Sequence, residues 1–481
     1  MSGTEAEYLA KLTRALAPKN GMRRISFAVD SYRHPSLPLS AKRILNLYAE
    51  QEPTDARTEV ALLSTPGLRL FTTYGSGPIL AMNDDAPGRL YVASGTALYR
   101  VRPDQEMPPE NLGNIGTTTD DKMITIAVGP VGMVVCVPPR AYTCSHSEPM
   151  NEIGGTFPGA SSVTYLDGYF VFTSTENSSR FFSSKLLDPN AFDALDFAYA
   201  DGLPNVLRRV VAHQGDLWLL GEAGVEIWSD VGLAAFPFQR APGGVIPHGC
   251  VSPRSVTMLD GSVFWLGTDC TVWRGEGYRA SRVSTHAIEA MIRAFNPASV
   301  LAALAYTDNG HPFYALTFAS GTMVYDCRTQ RWAERSSSED GTGRWRPQAV
   351  SLRGATVLFG DSVTGAIYHQ DAGLDTDADV LVPRQATLPT IWGGTNRAFL
   401  HRLEIEMETG VSGDVTLEWS DDGGFTWPGR RVLASGAASE HRNRVVTNRL
   451  GSFRQRTFRV TMYKRGTLYG VDAYMELGDG G

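Results

Sequence analysis

Apolar residues in this 481-residue chain seldom recur at the three- and four-residue spacing of a helix. Most lie in short runs that alternate with polar residues or stay apolar briefly, and each run stops at Gly, Asp, Asn or Pro. That is the pattern of short strands joined by tight turns. Two segments depart from it. Leu9, Leu12 and Leu16 would share one face of a short helix over residues 5–16, and Ile288, Met291, Ile292 and Phe295 predict a second over residues 285–295.

The strand pattern repeats. A turn with glycine leads into an apolar, often aromatic strand, and a second turn leads into a strand carrying Tyr or Trp. Gly215-Asp216-Leu217-Trp218-Leu219-Leu220-Gly221 running on to Ile227-Trp228 is one copy, and Asp260-Gly261-Ser262-Val263-Phe264-Trp265-Leu266-Gly267 running on to Val272-Trp273 is the next. The turn glycines Gly88, Gly132, Gly168, Gly215, Gly261, Gly310 and Gly354 are spaced by 44, 36, 47, 46, 49 and 44 residues. A step of about 40–50 residues is that of a four-stranded propeller blade. Two strands cannot bury a face alone, so each copy predicts the central hairpin of a blade stacked on its neighbours. The expectation is an all-β chain: a six- or seven-bladed β-propeller over residues 62–373, with one or two long β-sandwiches as the competing fold.

The pattern then changes. Residues 374–390 read as a loose linker with Asp and Pro. Beyond it, stretches such as Leu403-Glu404-Ile405-Glu406-Met407 and Phe458-Arg459-Val460-Thr461-Met462 alternate at period two, as half-buried antiparallel strands do. They predict a small antiparallel β-sandwich platform over residues 391–481. Residues 1–61 read as an extended, partly helical segment that packs on this platform.

Composition narrows the function. With 44 basic and 51 acidic residues the net charge is −7, which gives no whole-chain basic footprint for holding nucleic acid. Cys136, Cys144, Cys250, Cys270 and Cys327 are odd in number and irregularly spaced. They predict buried thiols in a chain folded in a cytosol, not a disulfide framework or zinc site. The start of the chain lacks the apolar core of a signal peptide, and no apolar run is long enough to span a bilayer. A soluble protein without membrane insertion is expected.

The sharpest local motif is Ser420-Asp421-Asp422-Gly423-Gly424-Phe425-Thr426-Trp427. Ser420, Asp422, Gly424, Thr426 and Trp427 fit an Asp-box, in which an aspartate accepts backbone N–H groups across a hairpin turn. Such boxes occur in glycan-handling propellers, which makes a sialidase-like hydrolase one reading. Here the box occurs once and outside the repeats, so the structural reading, a turn stabiliser, is preferred. His248, in a Gly/Pro-rich stretch, reads as a turn or packing residue. The pairs Asp84-Asp85, Asp120-Asp121 and Asp421-Asp422 are neighbours on turns, not the opposed acid and base that glycoside hydrolysis needs. Catalytic, cofactor-binding and metal-ligating sets are therefore all expected to be absent. Two basic groups remain. One is Arg442, Arg444, Arg449, Arg454, Arg456 and Arg459; the other is Arg23, Arg24, Arg33, Lys42 and Arg43. They read either as solvated edge-strand charge or as an assembly interface, where arginine is favoured.

Several stretches together resemble one family. Arg43-Ile44-Leu45-Asn46-Leu47-Tyr48-Ala49-Glu50 is followed by Ser64-Thr65-Pro66-Gly67-Leu68. Val225-Glu226-Ile227-Trp228, Gly243-Gly244-Val245-Ile246-Pro247-His248-Gly249-Cys250, Thr285-His286-Ala287-Ile288 and Leu450-Gly451-Ser452-Phe453-Arg454-Gln455-Arg456 come next, in that order. The set is similar to the packaged-DNA stabilisation, or head-completion, proteins that form the tail nozzle of short-tailed bacteriophages, and it spans residues 43–460. The first 40 residues match nothing in it. The resemblance implies a virion protein of the phage tail, made in the host bacterial cytoplasm, that works without catalysis or cofactors. It implies a homo-hexamer below the portal and its adaptor (head-to-tail connector) ring. Such a nozzle retains packaged DNA, extends the ejection channel without binding DNA specifically, and docks tail fibres, spikes or a needle. A receptor-binding propeller at the tail tip is the alternative, with Trp332 and Trp345 as its candidate contact residues.

Overall fold

The computed structural model describes residues 21–37, 40–51, 59–84, 88–102, 109–117, 123–145, 149–233, 236–410 and 413–478. The helix expected over residues 5–16, together with Asp85, Asp120 and Asp121, lies outside them. Among the described residues all regular structure is strand, apart from the helix His286–Phe295 and two single 3-10 turns. Thr285 caps that helix, its hydroxyl accepting from the Ile288 N–H at 3.4 Å, and Ile288 and Ile292 enter the core.

Among the described residues, seven four-stranded blades surround one axis. Their innermost strands are Ile79–Asp84, Thr125–Gly129, Ala160–Leu166, Leu207–His213, Thr257–Leu259, Ala302–Asp308 and Pro347–Arg353, and all seven contribute to the wall of a single axial cavity. The seven repeats fall on the second and third strand of each blade; the copy at Gly215, for example, is the antiparallel pair Asp216–Gly221 and Val225–Asp230. Large apolar side chains from these hairpins and from the segments beside them fill the wedges between blades. Phe264 stacks on Tyr314 with ring centroids 5.1 Å apart, and Trp345 lies between Tyr306 and Phe359. Each such burial contributes about 1.5–3 kcal/mol. The seventh blade is composite: its outer strand, Gly67–Thr73, comes from the chain's N-terminal side and pairs with Ala366–Asp371 to close the ring.

The platform packs a seven-stranded sheet against the end of a ten-stranded one, around Leu403, Ile405, Val415, Leu417, Phe458 and Val460. The ten-stranded sheet starts inside the propeller. The outer strand of blade six, Arg331–Arg335, pairs in parallel with Ile44–Leu45. That short strand pairs with Arg384–Thr387, and the sheet continues through Gln455–Met462, Asp414–Ser420 and Gly429–Ala434. Gly21–Ile25 pairs with Thr467–Leu477 in the other sheet, and Leu47–Gln51 and Val60–Ser64 join it as well. The segment read as a loose linker instead carries strands: Thr376–Asp377 and Val380–Leu381 extend blade seven, while Arg384–Thr387 belongs to the ten-stranded sheet.

Buried polar side chains fix this joint. Asn46, fully buried, donates to the carbonyls of Ser336 (3.0 Å) and Pro383 (2.8 Å) and accepts from Ser336 N–H. His311 of blade six sits between two carboxylates, Nδ1 at 2.8 Å from Asp326 and Nε2 at 2.5 Å from Glu50 of the platform. In blade seven, Arg346 grips Asp361 through two hydrogen bonds of 2.8 and 2.9 Å. Burial acts to raise the Asp361 carboxyl, but Arg346 and Thr364 outweigh it and hold it below the usual carboxylate range. A depressed carboxyl stabilises the fold above its unfolded pKa, and that stability is lost as pH falls through the folded value. The Tm gap between wild type and Asp361→Asn should therefore be constant above about pH 5 and shrink below about pH 4. A gap unchanged down to pH 3 would show that the ion pair contributes nothing.

Candidate functional site

The Asp-box turn links Asp414–Ser420 to Gly429–Ala434. Ser420 Oγ donates to Asp422 Oδ1 at 2.6 Å and accepts from Gly424 N–H at 2.8 Å. Asp422 also accepts from the N–H groups of Phe425 (2.9 Å) and Thr426 (2.9 and 3.0 Å) and from the Thr426 hydroxyl. These donors, the Ser420 and Thr426 hydroxyls first, hold its carboxyl well below the usual range. Gly423 and Gly424 take φ of +82° and +103°, which the turn requires. Both Asp422 oxygens are used by the turn's own donors, and the Asp421 carboxylate is held by Arg456. Neither is presented as an acid or base.

The structure divides the C-terminal arginines instead of gathering them on one surface. Arg456 is buried; Arg444 is clamped on Glu404 at 2.6 and 2.5 Å. Arg459 pairs with Glu418 at 2.7 Å, its guanidinium 4.2 Å from the centre of the Trp427 ring. All three carry intrachain ion pairs; Arg456 is buried and so not presented to a partner, whereas the Arg444 side chain stays exposed. Arg442, Arg449 and Arg454 are exposed and make no side-chain ion pair among the described residues. The N-terminal basic group comes close to the same region. Arg24 pairs with Glu406, and Arg43 with Glu334 and the Gly341 carbonyl. Arg33 and Arg43 line a small pocket with Gly424, Trp427 and Arg459, so the two basic groups converge beside the Asp-box turn. On the same platform Trp392, Phe399, Phe425 and Tyr474 are exposed. Exposed arginine mixed with aromatic side chains is the composition of a protein-binding surface.

The other sequence candidates are packing residues. His248 stacks flat on Trp273, ring centroids 3.7 Å apart. Trp332 and Trp345, the candidate contacts of the alternative receptor-binding reading, are both buried; Trp332 donates to the Val283 carbonyl and Trp345 to Asp377. All five cysteines are buried, and burial pushes the thiols of Cys250 and Cys327 up to about 11 and about 12. Among the described residues no cluster of three His, Cys, Asp or Glu side chains could hold a metal, and no helix is long and apolar enough to cross a membrane. Sequence reasoning missed Arg209, an arginine on an inner propeller strand. The signal was slight: it stands in Leu207-Arg208-Arg209-Val210-Val211, a charged pair inside a short apolar run just ahead of the repeat at Gly215.

Two family matches together span most of the chain. Residues 38–374 match the family described as the β-propeller of bacteriophage P22 Gp10, and residues 384–476 match its β-sandwich. No curated protein matches. Solved structures with similar outlines include a streptogramin B lyase at 12% identity, covering 64% of this chain and 98% of that one at a TM-score of 0.44. YCF48 bound to a D1 peptide is similar at 11% identity over 64% and 99% of the two chains, at a TM-score of 0.40.

Proposed function

We propose, from the premise that this chain belongs to the bacteriophage P22 Gp10 family of phage structural proteins, that it is a non-catalytic nozzle subunit of a phage tail. In this reading the chain forms a ring below the portal and its adaptor. The ring prolongs the DNA channel and holds the packaged genome in, while its outer surfaces receive fibres, spikes or a needle. The observation that carries the reading is the ten-stranded sheet that runs unbroken from blade six into the platform. It joins both family domains into one stiff body, as a part under pressure from packaged DNA needs. The net charge of −7 supports passage of a polyanion in preference to its capture. The exposed Arg442, Arg449 and Arg454, with Phe399 and Tyr474, are the ring or adaptor contact.

The test mixes the purified chain with phage heads that lack it, followed by light scattering and negative-stain imaging. Wild type should form rings, or assemble at the portal vertex, and restore DNA retention. The double variant Arg449→Glu/Arg454→Glu should melt within about 1 °C of wild type, as exposed substitutions do, yet fail to join heads. A wild-type chain that ignores such heads would overturn the nozzle reading. A variant that incorporates normally would remove the arginines from the contact.

A further inference from the structure

The axial cavity of the propeller has a volume of about 420 Å³. That is the size of a small-molecule site. Its wall is built from all seven inner strands, and among the described residues that line it Arg209 alone has a formal charge. A bulge at Arg208 shifts the register there and sends the two arginines different ways. Arg208 pairs with Glu222. Arg209 has no carboxylate partner among the described residues. Its Nη1 donates to the carbonyls of Pro253 (3.1 Å) and Val256 (2.6 Å) in the next blade, and its buried Nε has no acceptor. Those two carbonyls brace the guanidinium without neutralising it.

Arg209 is only partly buried and faces the cavity, so its charge is incompletely compensated, and an anion in the cavity would pair with it. Burial pushes the Arg209 guanidinium down to about 10, so it keeps its charge at neutral pH. The neighbouring Cys250 thiol is pushed the other way, to about 11, and stays neutral. Polar groups on the same wall suit an oxyanion. Thr125 and Thr164 each accept a backbone N–H at 3.0 Å, from Val163 and Ala212, which leaves their hydroxyl protons free to donate. Asn83, Thr257 and Gln348 add polar side chains to the wall.

We propose that the propeller axis is a binding site for one small oxyanion, of the phosphate or carboxylate class, held by Arg209 with Thr125 and Thr164. The site is internal to a single chain and does not depend on ring assembly. Equilibrium dialysis of the full chain against inorganic phosphate, and separately against citrate, at ionic strength fixed with sodium chloride, tests it. One saturable site per chain is expected for at least one of the two probes. Arg209→Gln should weaken it at least tenfold, while Arg209→Lys, which keeps charge but not the fork, should weaken it less. Equal binding to wild type and Arg209→Gln, or no saturable binding at millimolar anion, would overturn the proposal. If Arg209→Gln fails to fold, wild-type crystals soaked in tungstate decide the matter. Density in the axial cavity beside Arg209 supports the site, and density only on the outer surface or nowhere refutes it.

Discussion

Replacing Arg456 with alanine should destabilise the C-terminal platform more than the propeller. The side chain is only 4% exposed. Nε and Nη2 each reach an Asp421 oxygen at 2.6 Å, and Nη1 donates to the Leu450 carbonyl at 2.5 Å. The guanidinium also lies 4.5 Å from the centre of the Phe453 ring and near those of Trp419 and Phe458. Breaking a buried pair costs about 3–5 kcal/mol. Asp421 is half exposed and can recover water, so a loss of about 2–4 kcal/mol is expected after discounting its share for screening. Thermal unfolding followed by limited proteolysis should show the platform cut at temperatures where the propeller still resists. Arg456→Lys, which keeps the charge without the fork, should fall between. A variant that melts like wild type would return Arg456 to the surface. For this reason Arg456 is the wrong residue for probing assembly, and exposed Arg454 the right one.

Trp345→Ala should cost more. The indole is fully buried, 5.5 Å from Tyr306 and 5.3 Å from Phe359 between ring centroids, with the Arg335 guanidinium 4.0 Å above it. Its Nε1 donates to Asp377 at 3.1 Å. Asp377 is itself buried, and desolvation holds its carboxyl above the usual range, so losing a donor there is a further penalty. Truncating a buried tryptophan costs about 3–5 kcal/mol. The site lies where blades six and seven meet beside the platform, so a drop in both thermal transitions is expected. Loss of host attachment in this variant would report misfolding, not a lost receptor contact. A variant with unchanged melting but impaired attachment would reinstate the receptor reading for this residue.

The blades were legible because each central hairpin is local. Gly261 to Trp273, for example, forms its turn and both strands within a short stretch of chain. The platform strands are legible from period two, and that same period separates the arginines. Arg456 shares parity with the inward-facing Phe458, Val460 and Met462, whereas Arg454 stands beyond the start of Gln455–Met462. Trp345 lies in an irregular connection with no period to place it, so aromatic content alone suggested a surface role. Strand pairings between distant segments were not legible at all. Nothing near Gly67–Thr73 indicates that its partner is Ala366–Asp371, and nothing in residues 374–390 shows that two neighbouring sheets claim them.

Ring closure by an N-terminal strand sets a timetable for synthesis. Gly67–Thr73 leaves the ribosome early, but its partner Ala366–Asp371 follows about 300 residues later. Gly21–Ile25 waits longer still, for Thr467–Leu477 at the far end of the chain. At about 5–20 residues per second, these nascent strands stay unpaired for on the order of 15–90 s. Throughout that interval their backbone donors and acceptors are open to other chains. Translation speed and chaperone supply should therefore govern the yield of native protein more than final stability does, and a circular permutant that starts after residue 73 would deliver the closing strand last.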